Sequence, residues 1–169
     1  MIADLHTHTI YSDGLLTPEE LFKKAQEHGI KALSITDHDT LEGNIGAHEL
    51  AKKYDIDFIE GIEISCFDSQ NEYHILGYGI DIYDRELNDH LNDFRLKRLE
   101  RAEIMTKRLN NLGVNINFND VVNKAGMAPI TRPHIAQVIM DSGYVSSTKD
   151  AFNLYIGDKG PAFEVKAVF

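Results

Sequence analysis

From Ile2 to Tyr78 the chain alternates short apolar segments of strand character with helix signals, and this order leaves few folds open to it. Ile2–Leu5 reads as a buried strand. Thr17-Pro-Glu-Glu then offers an N-cap, a proline at the first helical position and a glutamate at the third, a capping-box start. Leu21, Phe22 and Ala25 supply that helix's apolar face, and Gly29 stops it. The pattern predicts strands at Ala32–Thr36, Phe58–Ile64 and Tyr73–Tyr78, with a helix over Leu41–Tyr54. Strand and helix alternating through short links argue for an α/β fold, a parallel sheet or barrel.

The pattern changes near Asp84. Leu87, Leu91, Phe94, Leu99, Ala102, Met105 and Leu109 recur at helical spacing, with Arg95, Lys97, Arg98, Glu100 and Arg101 between them. A long solvated helix laced with ion pairs explains this better than a nucleic-acid-binding helix. Shorter helices are expected at Asn119–Lys124, Arg132–Ser142 and Lys149–Tyr155. The expected organisation is therefore βα units over residues 1–83, a helical insertion over 84–155, and a return segment, 156–169, that ends early.

Four successive strands carry chemistry-bearing residues close to an end. His6 and His8 stand two apart at the end of the first, so both imidazoles face one side. Asp13 follows in a Ser-Asp-Gly turn able to fold back over them. Asp37 and His38 end the second strand, Glu63 interrupts the apolar third, and His74 lies in the fourth. Unrelated surface residues would not recur in this way, and α/β folds place ligands at strand ends. We read His6, His8, Asp13, His38, Glu63 and His74 as ligands of divalent metal. Imidazole and carboxylate without thiolate suit a hydrolytic Mn, Fe or Zn centre, in which Glu63 can bridge two ions. Asp4 and Asp37 adjoin these ligands and are candidates to orient imidazoles. His28, His48 and His90 fall on predicted helices and read as surface residues.

Thr131-Arg132-Pro133-His134 places an arginine and a histidine at a helix start, where a guanidinium fork and free N–H groups bind phosphate. An ordinary capping turn with exposed Arg132 and His134 explains the segment equally well on its own.

Composition sets limits on partners. The formal charge is −10, which repels extended duplex nucleic acid. Bound divalent ions would return about four to six positive charges at one place, which suits a small anion or a chain end. The single cysteine, Cys66, forms no internal disulfide and fits a reducing cytoplasm. No apolar run reaches the roughly 18 residues of a membrane span, and the start of the chain carries no secretory signal pattern.

Taken together the motifs resemble the polymerase-and-histidinol-phosphatase (PHP) class of metal-dependent phosphoesterases. The resemblance rests on Asp4–Gly14 (DLHTHTIYSDG), Thr36–Thr40 (TDHDT), Gly61–Ser65 (GIEIS), His74–Tyr78 (HILGY) and Thr131–Ala136 (TRPHIA), in the order of that family. It is strongest to the branch that dephosphorylates nucleoside 3′,5′-bisphosphates and trims RNA from the 5′ end. It implies a distorted (β/α)7 barrel with a helical insertion and two or three metals held partly by the six residues named. It also implies a substrate phosphate facing Arg132 and His134. The expected reaction is attack on phosphorus by a hydroxide that the metals activate, with Arg132 and protonated His134 neutralising charge on the phosphoryl oxygens. The family draws further ligands from later His-Pro and Asp-x-His motifs that have no counterpart here, so the chain is expected to be the front of a longer protein and the barrel incomplete. Two rival expectations follow: a metal-binding fragment without turnover, and a phosphatase of the histidinol-phosphate type.

Overall fold

A computed structural model describes residues 1–67 and 72–165; the last four residues of the expected return segment lie outside them. The elements are β1 (Ile2–Thr7), α1 (Pro18–Glu27), β2 (Ile30–Ile35), a 3₁₀ turn (Glu42–Asn44), α2 (Ala47–Tyr54), β3 (Asp57–Phe67) and β4 (Glu72–Tyr78). There follow α3 (Arg85–Asn111), α4 (Phe118–Ala125), α5 (Arg132–Asp141) and α6 (Thr148–Ala151), which runs into a π-helical turn, Phe152–Ile156. The chain divides into two compact units, one beginning at Met1 and the other at Asp93, with the boundary inside α3.

In the first unit four strands form one sheet in the order β1-β2-β3-β4. The β1-β2 and β2-β3 pairs are parallel, as the alternation predicts. β4 runs antiparallel to β3, a departure from the all-parallel expectation, because the link from Phe67 to Glu72 is too short for a crossover helix. α1 starts at the Thr17 capping box, in which the Thr17 N–H donates to Glu20 Oε2 at 2.8 Å. Phe22 and Ala25 of α1 and Ala47 and Ala51 of α2 bury against Leu33, Ile35 and Ile56. The expected single helix over Leu41–Tyr54 is broken at Gly46, which has φ 76° and admits no helical continuation. β1 is not the buried strand that its sequence suggests: Ile2 is 60% and Leu5 37% exposed, because β1 is an edge strand with only β2 beside it among the described residues.

The second unit is helical. Ala102, Met105 and Leu109 of α3 pack with Val121, Ile135, Ile139, Ala151 and Ile156 into its core. Asp93–Lys97 and Glu103–Lys107 are i,i+4 pairs on α3's solvated face. Two positions on α3 exchange their expected places. Leu99 is exposed, while Arg98 is buried with its guanidinium over the Phe94 ring. No described helix is long and apolar enough to cross a membrane.

Candidate metal centre

The carboxyl ends of β1 and β2 are pinned by buried hydroxyls. Thr7 Oγ1 donates to the Ser34 carbonyl at 2.6 Å, and the Thr36 N–H donates to the Thr7 carbonyl at 2.8 Å. Beyond β1 the chain turns back, with the N–H groups of Ser12 and Gly14 both reaching the Thr9 carbonyl at 3.0 Å. The turn closes so tightly that a Cβ on Gly14 would lie 2.2 Å from the His8 carbonyl oxygen. Only glycine fits there, and its neighbour Asp13 is thereby carried back beside His8.

The loop after β2 is anchored from both sides. The Glu63 N–H donates to the Asp37 carbonyl at 3.2 Å and the Asp39 N–H to the Glu63 carbonyl at 3.0 Å, which brackets His38 opposite Glu63. Asp39 adopts φ 54°, an uncommon value for a residue with a side chain, and its buried carboxylate accepts the Ser65 N–H at 2.7 Å and hydroxyl at 2.8 Å. Below this, buried Asn44 accepts the Gly61 N–H at 3.1 Å and donates to the Gly61 carbonyl at 3.0 Å, filling the interval where β2 and β3 part.

These anchors bring together all six residues expected to hold metal. Their donor atoms form three overlapping groups, His6–His8–Glu63, His8–Asp13–His38 and His38–Glu63–His74, with the atoms of each within 4.8 Å of one another. Glu63 is the hub. Its Oε2 lies 2.8 Å from His6 Nε2, 3.1 Å from His8 Nε2 and 3.8 Å from His38 Nδ1, and its Oε1 lies 3.0 Å from His74 Nδ1. Asp13 lies 3.3 Å from His8 Nδ1 and 3.6 Å from His38 Nε2. Two carboxylates interleaved with four imidazoles, none of them thiolate, form a donor set suited to divalent cations. Glu63 is almost fully buried, so its charge needs cationic or hydrogen-bonding partners on every side, and imidazoles or ions supply them. The residues present therefore fit the metals that the sequence implies.

The protonation of the cluster follows from its crowding. His38 beside Asp13 holds the Asp13 carboxyl down at about 2, and Asp13 in turn pushes the His38 imidazole above its ordinary value. Burial pushes His8 the other way, towards the neutral ring that a metal requires.

Asp4 and Asp37 sit differently. Asp4 is exposed and accepts the backbone N–H of His6 at 3.4 Å. Asp37 is fully buried and accepts the Thr9 N–H at 2.7 Å, the Thr9 hydroxyl at 2.6 Å and the Ser12 hydroxyl at 2.5 Å. Ser12 Oγ stands 3.4 Å from His8 Nδ1, so Asp37 reaches His8 through that hydroxyl. Gly43 makes room for it, since a Cβ there would lie 2.2 Å from Asp37 Oδ2. The sequence reading gave no role of their own to Thr9, Ser12, Asp39, Asn44 and Ser65, although Asp39 lies in the polar cluster Thr36–Thr40. Their signal is the density of short hydroxyl, amide and carboxylate side chains around each candidate ligand.

Arg132 and His134 belong to the second unit. Arg132 Nη1 pairs with Asp158 Oδ1 at 2.6 Å. His134 Nδ1 accepts the Thr131 N–H at 3.1 Å. That bond orients the His134 ring, with Nδ1 turned to the Thr131 N–H. The other three histidines stay out of the cluster. His28 and His90 are exposed, and exposed His48 faces Glu60 at 2.5 Å.

Comparison with known proteins matches residues 4–115 to the PHP domain. The chain is 34% identical over 158 residues to the 5′-3′ exoribonuclease Rnm of Salmonella typhimurium, covering 92% of this chain and 54% of that protein. It is also 34% identical over 161 residues to a 3′,5′-nucleoside bisphosphate phosphatase of Chromobacterium violaceum, covering 95% and 56%. The chain thus spans about half the length of the curated relatives it matches. A solved structure from Bifidobacterium adolescentis, classed as a metal-dependent phosphoesterase, superposes with a TM-score of 0.84 at 28% identity over 98% of this chain and 58% of its own. A matched profile over most of the chain, relatives above 30% identity and a shared α/β architecture agree, and the chain belongs to the PHP domain family.

Proposed function

We propose that this chain carries the metal-holding and phosphate-recognising part of a phosphoesterase. Its substrates are phosphate monoesters of small nucleotides, such as nucleoside 3′,5′-bisphosphates, or RNA trimmed from its 5′ end. The observation that carries the reading is the convergence of three N/O donor groups on Glu63, His8 and His38. The relatives' names, an exoribonuclease and a bisphosphate phosphatase, support the substrate class.

His6, His8, Asp13, His38, Glu63 and His74 would hold two or three divalent ions, with manganese favoured by the mixed imidazole and carboxylate donors. When bound, such ions supply Lewis-acid charge and lower the pKa of water towards neutrality. The chain's own residues prepare that chemistry. Glu63 presents one oxygen to His6 and His8 and the other to His74, so a single carboxylate serves two donor groups. The Arg132 guanidinium offers a planar fork to phosphate oxygens, and His134 is placed on the same first helical turn to donate a further hydrogen bond. A small anion in a reducing cytoplasm suits the net charge and the lone cysteine.

The test is phosphate release from adenosine 3′,5′-bisphosphate with added Mn²⁺, measured on the protein at its relatives' length, together with the metal count of this chain. Glu63→Ala and His38→Ala are expected to abolish release and to lower the metal count. Unchanged turnover in either variant would overturn the assignment.

A further inference from the structure

In the second unit, the segment from Asp158 to Glu164 lies against three arginines. The Arg101 Nε–H donates to the Glu164 carbonyl at 2.8 Å, and Arg108 donates to the Phe163 carbonyl and pairs with the Glu164 carboxylate. Arg132 is held in another way. Its guanidinium stands 5.7 Å from the Phe152 ring and 5.5 Å from the Phe163 ring, and its Nη1 meets Asp158 Oδ1 at 2.6 Å.

The two sides of that pair are unequal. The Arg132 side chain is 25% exposed and fixed by aromatic faces, whereas the Asp158 side chain is 80% exposed and, among the described residues, is held by Arg132. Asp158 follows Gly157 in a turn closed by the Gly160 N–H on the Gly157 carbonyl at 2.7 Å, so its carboxylate can swing into water without moving the turn. A carboxylate offers a guanidinium the same charge and oxygen geometry as a phosphate. If Asp158 leaves, the rings keep the guanidinium in place and oriented.

We infer that Asp158 is a built-in competitor for the anion that Arg132 binds. This rests on the reading of Arg132 as a phosphate-binding residue and adds a residue that sets how tightly phosphate is held. An incoming phosphate displaces the Asp158 carboxylate, and the apparent affinity is multiplied by the fraction of time that Arg132 is open, which lowers it. As inorganic phosphate departs after hydrolysis, Asp158 recaptures the guanidinium, which limits inhibition by product. An exposed ion pair of this kind is weak, so the effect is roughly two- to sixfold in affinity.

The experiment titrates inorganic phosphate into this chain with the metals removed by chelator, so that the six-residue cluster adds no affinity, and follows the Arg132 Nε–Hε resonance. Asp158→Asn is expected to tighten phosphate binding about two- to sixfold over the wild type. Asp120→Asn, which removes the same charge from an exposed site on α4, is expected to change nothing. The gain should vanish in the double variant Arg132→Gln/Asp158→Asn. The inference is overturned by an Asp158→Asn affinity equal to wild type, by equal gains from Asp120→Asn, by a gain that survives loss of Arg132, or by an Arg132 resonance that phosphate moves in neither protein. The underlying reading fails separately. If Arg132→Gln at the relatives' length turns over adenosine 3′,5′-bisphosphate unimpaired while Asp158→Asn still tightens phosphate, the competitor stands and Arg132's part in the reaction falls.

Discussion

Asp37 is the residue on which the metal cluster's framework most depends, although it touches none of the six donors directly. Its carboxylate is fully buried and accepts three hydrogen bonds, from the Thr9 N–H at 2.7 Å, the Thr9 hydroxyl at 2.6 Å and the Ser12 hydroxyl at 2.5 Å. Bonds to an ionised group contribute about 1.5 kcal/mol or more each, and removing the acceptor leaves a buried N–H and two hydroxyls without their partner. Asp37→Ala should therefore cost about 3–5 kcal/mol, a large share of the roughly 5–15 kcal/mol that holds a domain together. Asp37→Asn keeps the shape and loses the charge assistance, at about half that cost. Thr9→Val removes one donor at near-constant volume and should cost about 1–2 kcal/mol. The costs of Thr9→Val and Asp37→Asn should fall short of additive in the double variant, since both act on the same bond between the Thr9 hydroxyl and residue 37. Thermal or urea unfolding of the metal-free chain measures these values. Because the loop from Thr9 to Gly14 carries Asp13 and abuts His8, Mn²⁺ affinity should fall about 10- to 100-fold alongside. An Asp37→Ala protein within about 1 kcal/mol of wild type, with Mn²⁺ affinity unchanged, would refute the reasoning. If that variant does not fold, Asp37→Asn and Thr9→Val decide the question.

Two further outcomes are expected. Gly14→Ala places a Cβ 2.2 Å from the His8 carbonyl oxygen and 2.4 Å from its carbon, backbone atoms with little room to yield. It should cost about 1–3 kcal/mol and weaken Mn²⁺ binding, and wild-type behaviour on both counts would show that the turn is not held as described. Asp13 has its carboxyl depressed from 3.8 to about 2 in the folded chain, so its stabilising contribution is present above pH 3.8 and is lost as pH falls towards 2. Asp13 is largely exposed, so that contribution is under about 1 kcal/mol. The stability gap between wild type and Asp13→Asn, without metal, should close between pH 4 and about 2 in melting curves.

The metal cluster was legible because its signal is local and chemical. His6 and His8 at spacing two, Asp13 in a glycine turn, and His38, Glu63 and His74 near strand ends are residue types that neither a core nor a plain surface explains in that order. What escaped the sequence depends on partners distant in the chain. The hydroxyls of Thr9 and Ser12 look like loop residues until Asp37, more than twenty positions away, is seen to gather them. Leu41–Tyr54 reads as one helix, but Gly43 must stay bare against Asp37 and Asn44 must reach Gly61, so site geometry overrides helical spacing there. The antiparallel turn of β4 was readable from link length, since residues 65–72 cannot span a crossover, yet alternation alone suggested a parallel neighbour. The same division explains Arg132. Its place after Thr131 marks a helix start, but nothing in the sequence brings Asp158 or the rings of Phe152 and Phe163 to it. Residues that do chemistry can be recognised by type, whereas those that tune it need contact to be understood: Asp37 is flagged by its place beside His38, but its hold on Thr9 and Ser12, like the Asp158 pairing with Arg132, is visible only in the structure.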